Sequence, residues 1–328
     1  MSRAMDPDTV ARLNSNENSH QAYSQIVKAL SLPDKGLLEF EILRDFYLFE
    51  DQWFLKEGNA VAVHKLALVQ AFLVARRKLA SWPTGGSLFS DDEIYDATAV
   101  TILFDAEHLT AVNARKQIIQ KQLASEDSDA RKILEREKRT IDSIVTSRLH
   151  RHTKSPTLWS HRRWLITQYR KYHIPIDIVE DIESIVCVSG VRHPRNYYAW
   201  NHARFLVNNT HDFDSGKLLK AVETWCAQNH TDISGWSFLS FLINFDKDCS
   251  ENSLVISRVL ELVDSLRLSN ESVWVFLRTL AASRVMTDEA YARFRDIQKG
   301  LLETATTPAD DKAVLRKAVE WCETYRDC

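Results

Sequence analysis

Apolar residues along most of this chain recur at three- and four-residue steps, the period of an amphipathic helix. From Leu37 to Phe54 the pattern predicts an aromatic-rich helix. From Val61 to Ala80 it predicts a longer one, closed by a turn at Trp82-Pro83-Thr84-Gly85-Gly86. Asp91-Asp92-Glu93 puts three acids at a helix start, where the positive end of the helix dipole favours them. Ser125 to Arg151 predicts one charge-laced helix, solvated outside a stripe of Ile133, Leu134, Ile141, Ile144 and Val145. Residues 1–20 are polar and are expected to be frayed, with residues 21–328 forming a single helical-repeat domain. No alternating strand pattern is sustained, so no sheet is expected.

A longer period overlies the short one. Val112, Trp159, Trp200, Trp236 and Trp274 act as anchors spaced 36 to 47 residues apart. Six positions later stand Ile118, Leu165, Leu206, Leu242 and Leu280; seven later stand Ile119, Ile166, Val207, Ile243 and Ala281. An anchor and the residue seven after it share one helix face. Four before the anchors stand His108, Ser155, Asn196, Asp232 and Asn270, of which the last four are favoured helix N-caps. Pro156 follows Ser155 at the first helical position, which suits proline. Each repeat therefore opens with a capped helix and continues into a second. The predicted class is all-α, a right-handed superhelix or solenoid of helical hairpins.

One position does not fit a plain core. Four after the anchors stand Lys116, Arg163, Arg204, Ser240 and Arg278, basic in all repeats but one. A cation there must pair with a carboxylate or a carbonyl, or reach a surface that a partner covers.

Composition narrows the class further. Eight Gly and seven Pro are few for 328 residues, which argues against a turn-rich sandwich or barrel. A net charge of -3 opposes nucleic-acid binding over the whole surface, although Lys and Arg outnumber Asp and Glu from His150 to Arg204. The five cysteines form no C-x-x-C pair, so neither a disulfide framework nor a zinc site is expected in this chain. Cys328, with no residue after it in this sequence, is not expected to open a C-a-a-X prenylation box. Apolar runs are too short for a membrane span, and the expected location is the cytoplasm.

Lys154 to Leu165 (KSPTLWSHRRWL) and Asn196 to Leu206 (NYYAWNHARFL) resemble the repeats of protein prenyltransferase alpha subunits. Asp232 to Ile243, Glu271 to Leu280 and Leu109 to Ile119 fit the same order and spacing, with Val112 where Trp is usual. The resemblance covers about residues 90–285. Within the family, Lys154-Ser155-Pro156 and the Ser234-Gly235 pair before Trp236 are most similar to alpha subunits of type III geranylgeranyltransferases. The resemblance implies a helical crescent wrapped around a separate beta subunit, which carries the catalytic zinc and the isoprenoid pocket. This chain would hold no metal or cofactor of its own and would be inactive alone. The other partners it implies are an isoprenoid diphosphate, geranylgeranyl diphosphate in that subtype, and a protein substrate with a C-terminal cysteine.

It also implies roles for residues. Lys154, five before Trp159, matches the lysine that contacts the diphosphate and would be catalytic. Tyr197 and Tyr198 fall at the substrate rim, although the second is commonly His in the family. Trp159, Arg162, Arg163, Asn196, Trp200, Arg204, Trp236 and Trp274 are expected as repeat and partner-interface residues. Read without the family, Lys154 is an ordinary surface lysine and the two tyrosines are packing aromatics. His161 and His202 lack the acidic or Cys company of a metal pair. The alternative function is a catalytically inactive helical-repeat scaffold for protein–protein interaction.

Overall fold

The N-caps that the repeat marks do cap helices. The computed structural model describes residues 16–33, 35–43, 53–82, 88–210, 212–304 and 306–326. In it Ser155, Asn196, Asp232 and Asn270 each accept a backbone N–H of the first helical turn, as the sequence leads one to expect. His108 also caps, through Nδ1 and the Ala111 N–H. The chain divides into two compact units, residues 1–176 and 177–328.

The first unit runs α1 (Asn16–Ala29), β1 (Glu39–Leu43), β2 (Phe54–Glu57), β3 (Ala60–His64), α2 (Lys65–Ser81), α3 (Asp91–Phe104), α4 (Leu109–Leu123), α5 (Ala130–Val145), α6 (His150–Thr153) and α7 (Pro156–Lys171). Helices α1 to α5 stack in succession, and α7 packs on α4 and α5. The acids at 91–93 open α3 with a reciprocal cap: Ser90 accepts the Glu93 N–H, and the Glu93 carboxylate accepts the Ser90 N–H at 3.0 Å.

Four expectations need correction here. A three-stranded sheet of order β1-β3-β2 stands where the chain reads as helix from Leu37, and β3 takes the first residues of the helix expected from Val61 to Ala80, the rest of which is present as α2. β1 pairs with β3 in parallel, Phe40 opposite Val61, and β2 pairs with β3 antiparallel, Phe54 opposite Val63. Two-residue alternation explains it: Phe40, Val61 and Val63 are buried while Glu39, Glu41 and Ala60 are exposed. The β2–β3 hairpin turns at Gly58-Asn59, with Gly58 at φ +56, a left-handed value that suits glycine. The frayed N-terminus ends earlier than expected, since Asn16–Ala29 is helical; the rest of that expectation lies outside the described residues. The 125–151 helix is in fact α5 alone, capped by Asp129, followed by a break and the single turn α6. Its interior is not purely apolar, because Glu137 and Asp142 are buried with the aliphatic stripe. The expected turn at 83–86 and part of the expected 37–54 helix lie outside the described residues.

The second unit begins with α8 (Ile178–Asp181), which continues through a π-helical segment (Ile182–Cys187) into α9 (Val188–Arg192). There follow α10 (Tyr197–Asn208), α11 (Ser215–Gln228), α12 (Ile233–Phe245), α13 (Glu251–Ser265), α14 (Glu271–Ala282), α15 (Asp288–Glu303) and α16 (Ala309–Tyr325). Alternate helices touch, so α10, α12, α14 and α16 form one layer and α11, α13 and α15 the other. This is the stacked-hairpin, all-α architecture expected of the repeat. Trp200, Trp236 and Trp274 are fully buried. Each meets an aromatic two positions past the next anchor or in the following hairpin: Trp200 with Phe238 at 5.4 Å, Trp236 with Phe276 at 5.0 Å, and Trp274 with Phe294 at 5.4 Å. Trp225 stands edge-on to Trp200 at 4.8 Å and lies against Gly190 and Gly235 so closely that a Cβ at either glycine would collide with it.

Candidate functional site

The segment around Lys154 is built by short-range hydrogen bonds. α6 ends at Thr153, whose hydroxyl donates to the Ser147 carbonyl at 2.8 Å. One residue beyond Lys154, Ser155 caps α7 and donates its own hydroxyl to the Ala106 carbonyl at 3.0 Å. Trp159 reaches back and donates its indole N–H to the Thr153 carbonyl at 2.8 Å. Lys154 is thus held between two fixed residues while its side chain is exposed. Pro156 occupies the first position of α7.

Beneath that segment the first unit buries two ion-pair groups. Arg115 binds both carboxylate oxygens of Glu137, donates to Thr98 Oγ1 at 2.8 Å and lies over the Tyr95 ring at 3.9 Å. Tyr95 donates its hydroxyl to Glu137 Oε2 at 2.5 Å, and His161 Nε2 lies 2.6 Å from Oε1. Burial alone would raise the Glu137 carboxyl, but Arg115 and the His161 hydrogen bond hold it well below the usual carboxylate range. Burial lowers His161, so its ring is neutral and donates from Nε2. Arg162, fully buried, donates from Nε to Asp142 at 2.7 Å, and Lys138 reaches the other oxygen of Asp142 at 2.7 Å. Arg162 is therefore a core residue. Arg163, its neighbour, is half-buried.

In the second unit Asn196 is buried as the cap of α10. Tyr197 is 67% exposed, and Tyr198 stands half-buried and edge-on to it at 5.5 Å. Tyr197, Trp200, Asn201, Arg204, Ile233, Ser234 and Ser237 line a surface pocket of about 370 Å³ between α10 and α12. Arg204 donates to the Trp200 carbonyl at 3.3 Å and to Ser237 Oγ at 2.9 Å. Tyr197, Trp200 and Arg204 are thus brought together, whereas Lys154 belongs to the other unit.

At three of the basic positions four after an anchor, Lys116, Arg204 and Arg278, the cation lies over an aromatic. Lys116 lies over Trp164 at 5.7 Å, Arg204 over Phe238 and Phe241 at 5.6 Å each, and Arg278 over Trp321 at 4.8 Å. Trp164 and Phe241 stand five after their own anchors. A cation of one repeat therefore rests on an aromatic of the next. Sequence reasoning missed this pairing, although the shared five-residue offset of Trp164, Phe205 and Phe241 was its signal. It also missed Glu137 and Asp142, which stand in a stretch that reads as a solvated charged face.

Among the described residues no group of three or more His, Cys, Asp and Glu is placed to hold a metal ion. Burial raises the Cys187 thiol to about 12, which leaves it protonated and inert. Among the described residues no helix is long and apolar enough to cross a membrane.

No curated protein matches the chain. Residues 158–263 match the ECM9 middle domain. Residues 143–169, which hold Lys154, its two flanking turns and most of α7, match the protein prenyltransferase alpha subunit repeat, and it is to the alpha subunits of protein prenyltransferases that this chain is similar.

Proposed function

We propose that this chain is the non-zinc alpha subunit of a protein prenyltransferase of the geranylgeranyl-transferring type III class, active only with a beta subunit. The observation that carries the reading is the placement of Lys154. Its exposed ammonium precedes the N-terminus of the 16-residue α7 inside the segment that matches the alpha subunit repeat.

The reaction forms a bond from a protein cysteine sulfur to C1 of the isoprenoid and breaks the C1–oxygen bond, so that pyrophosphate departs with the electron pair. The beta subunit's zinc would favour the thiolate of that substrate cysteine, whose proton goes to solvent. Negative charge grows on the leaving oxygens in the transition state. The Lys154 ammonium and the positive end of the α7 dipole both favour an anion there. Ser155 and Pro156 fix the backbone on which that ammonium stands, so little reorganisation accompanies the step. Tyr197, largely exposed at the first turn of α10, would supply a phenol to the substrate rim.

Co-expression with a barrel-type prenyltransferase beta subunit tests the reading. The expected result is a stable heterodimer that transfers labelled geranylgeranyl from its diphosphate to a C-terminal cysteine, with no transfer by either chain alone. A chain that binds no such beta subunit overturns it.

A further inference from the structure

The pocket between α10 and α12 holds one cation and no counter-charge. Arg204 has five N–H donors, and the Trp200 carbonyl and Ser237 hydroxyl take two of them. Among the described residues no carboxylate pairs with it. Its guanidinium carbon lies 5.6 Å from the ring centres of both Phe238 and Phe241, and its remaining N–H donors have no acceptor among the described residues. Ser234, Ser237, Asn201 and Tyr197 add neutral hydrogen-bonding groups around the same space. We propose that this pocket receives a single carboxylate side chain, Asp or Glu, from the partner subunit.

Charge decides between a carboxylate and a phosphate. One guanidinium among neutral donors matches one negative charge, and a planar bidentate acceptor matches its fork. A diphosphate would bring several charges into a pocket with a single cation. Burial lowers the Arg204 guanidinium and the nearby Tyr197 hydroxyl opposes that, with no carboxylate among the described residues to offset the burial. A partner rather than a free small acid follows from recurrence. Arg278, on the next helix but one of the same layer, also rests on an aromatic with no ion pair among the described residues, and its Nε is buried without a hydrogen bond. Cations repeated along one helical layer suit an extended acidic surface. The inference rests on the alpha-subunit reading and specifies what its beta subunit must bring.

The test titrates the full chain with a purified barrel-type beta subunit at low and high salt. Arg204→Gln is expected to weaken the heterodimer at least tenfold and to flatten its salt dependence, with Arg204→Lys intermediate because it keeps the charge and loses the fork. Arg258→Gln is the control for lost charge: Arg258 pairs with Glu223 between α11 and α13 and should leave affinity unchanged. Ser237→Ala removes an exposed hydroxyl together with the hydrogen bond that it accepts from Arg204, and severalfold weakening is expected there in a chain of wild-type thermal midpoint. Arg204→Glu should regain affinity when one acidic residue of the beta subunit is replaced by Lys. If the heterodimer forms and Arg204→Gln binds like wild type, the pocket proposal is overturned while the alpha-subunit reading stands. If no heterodimer forms, both fall. Pyrophosphate binding to the isolated chain that Arg204→Gln abolishes would assign the pocket to a diphosphate and overturn the carboxylate.

Discussion

Arg115 grips Glu137 with two parallel N–H···O bonds, Nε to Oε1 at 2.9 Å and Nη2 to Oε2 at 2.5 Å, where neither side chain has any exposed surface. Glu137 also serves Tyr95 and His161, so one carboxylate joins α3, α4, α5 and α7. Replacing Glu137 by Gln would leave a buried guanidinium without its counter-charge. The expected loss is about 3–5 kcal/mol of unfolding free energy. Urea unfolding of the purified variant measures it, and a loss below about 1 kcal/mol would show that the pair contributes little to the first unit.

Acid should destabilise the chain before its carboxylates titrate in bulk. Burial lowers His152 and His161 below the ordinary 6.5, against the carbonyls of Leu103 and Ile102 in one case and Glu137 in the other. Arg151 and Asp105 also face His152, and Arg115 and Lys116 face His161. Both rings are neutral when folded and take up protons more readily when unfolded. Their contribution is complete above about pH 6.5 and is lost as pH falls below it. Glu137, held low in the folded chain, contributes fully above its ordinary 4.5 and less below that. The urea midpoint should therefore fall steadily from pH 7.5 to pH 5 and more steeply below. Equal midpoints at pH 7.5 and pH 5.5 would refute the neutral buried rings.

The anchor tryptophans are not equivalent. Trp159, Trp236 and Trp274 each donate the indole N–H to the carbonyl six residues earlier, of Thr153, His230 and Leu268, at 2.8, 3.0 and 2.9 Å. For Trp200 that residue is Pro194, followed by Arg195 at φ +59, and the buried Trp200 indole nitrogen has no partner. Trp→Phe at 236 or 274 removes a hydrogen bond as well as volume, whereas at 200 it removes an unsatisfied donor. Trp200→Phe should therefore be about 1 kcal/mol milder than either of the others. Denaturant midpoints of the three single variants rank them, and a Trp200→Phe loss equal to the others would contradict the geometry.

What could be read from the chain and what could not follows from how far apart the partners lie. N-caps, anchors and the buried faces of α7, α10, α12 and α14 depend on neighbours within one helix, and their spacing is visible directly. Glu137 is 22 residues from Arg115 and 24 from His161, and nothing local distinguishes it from the exposed Glu135 two positions earlier. The sheet was hidden for another reason. Its strands are short, and their apolar residues also satisfy a helical period; Gly58-Asn59 was the local signal that separates the two. Lys154 was legible as a motif position, yet only the structure shows that its flanking residues are both pinned and its own side chain is not.

That contrast gives the sharpest test of Lys154. Its side chain is exposed, so its removal should leave the fold intact: Lys154→Ala is expected to keep the wild-type thermal midpoint and beta-subunit affinity. If the ammonium stabilises departing pyrophosphate, the same variant should lose at least tenfold in kcat, with the removal of one such donor worth about 3 kcal/mol at most sites of this kind. Lys154→Arg keeps the charge and should recover part of the rate. A merely structural lysine predicts the opposite pattern, a lower midpoint with unchanged kcat. Measured side by side in the purified heterodimer, unchanged turnover by Lys154→Ala would remove this residue from the reaction.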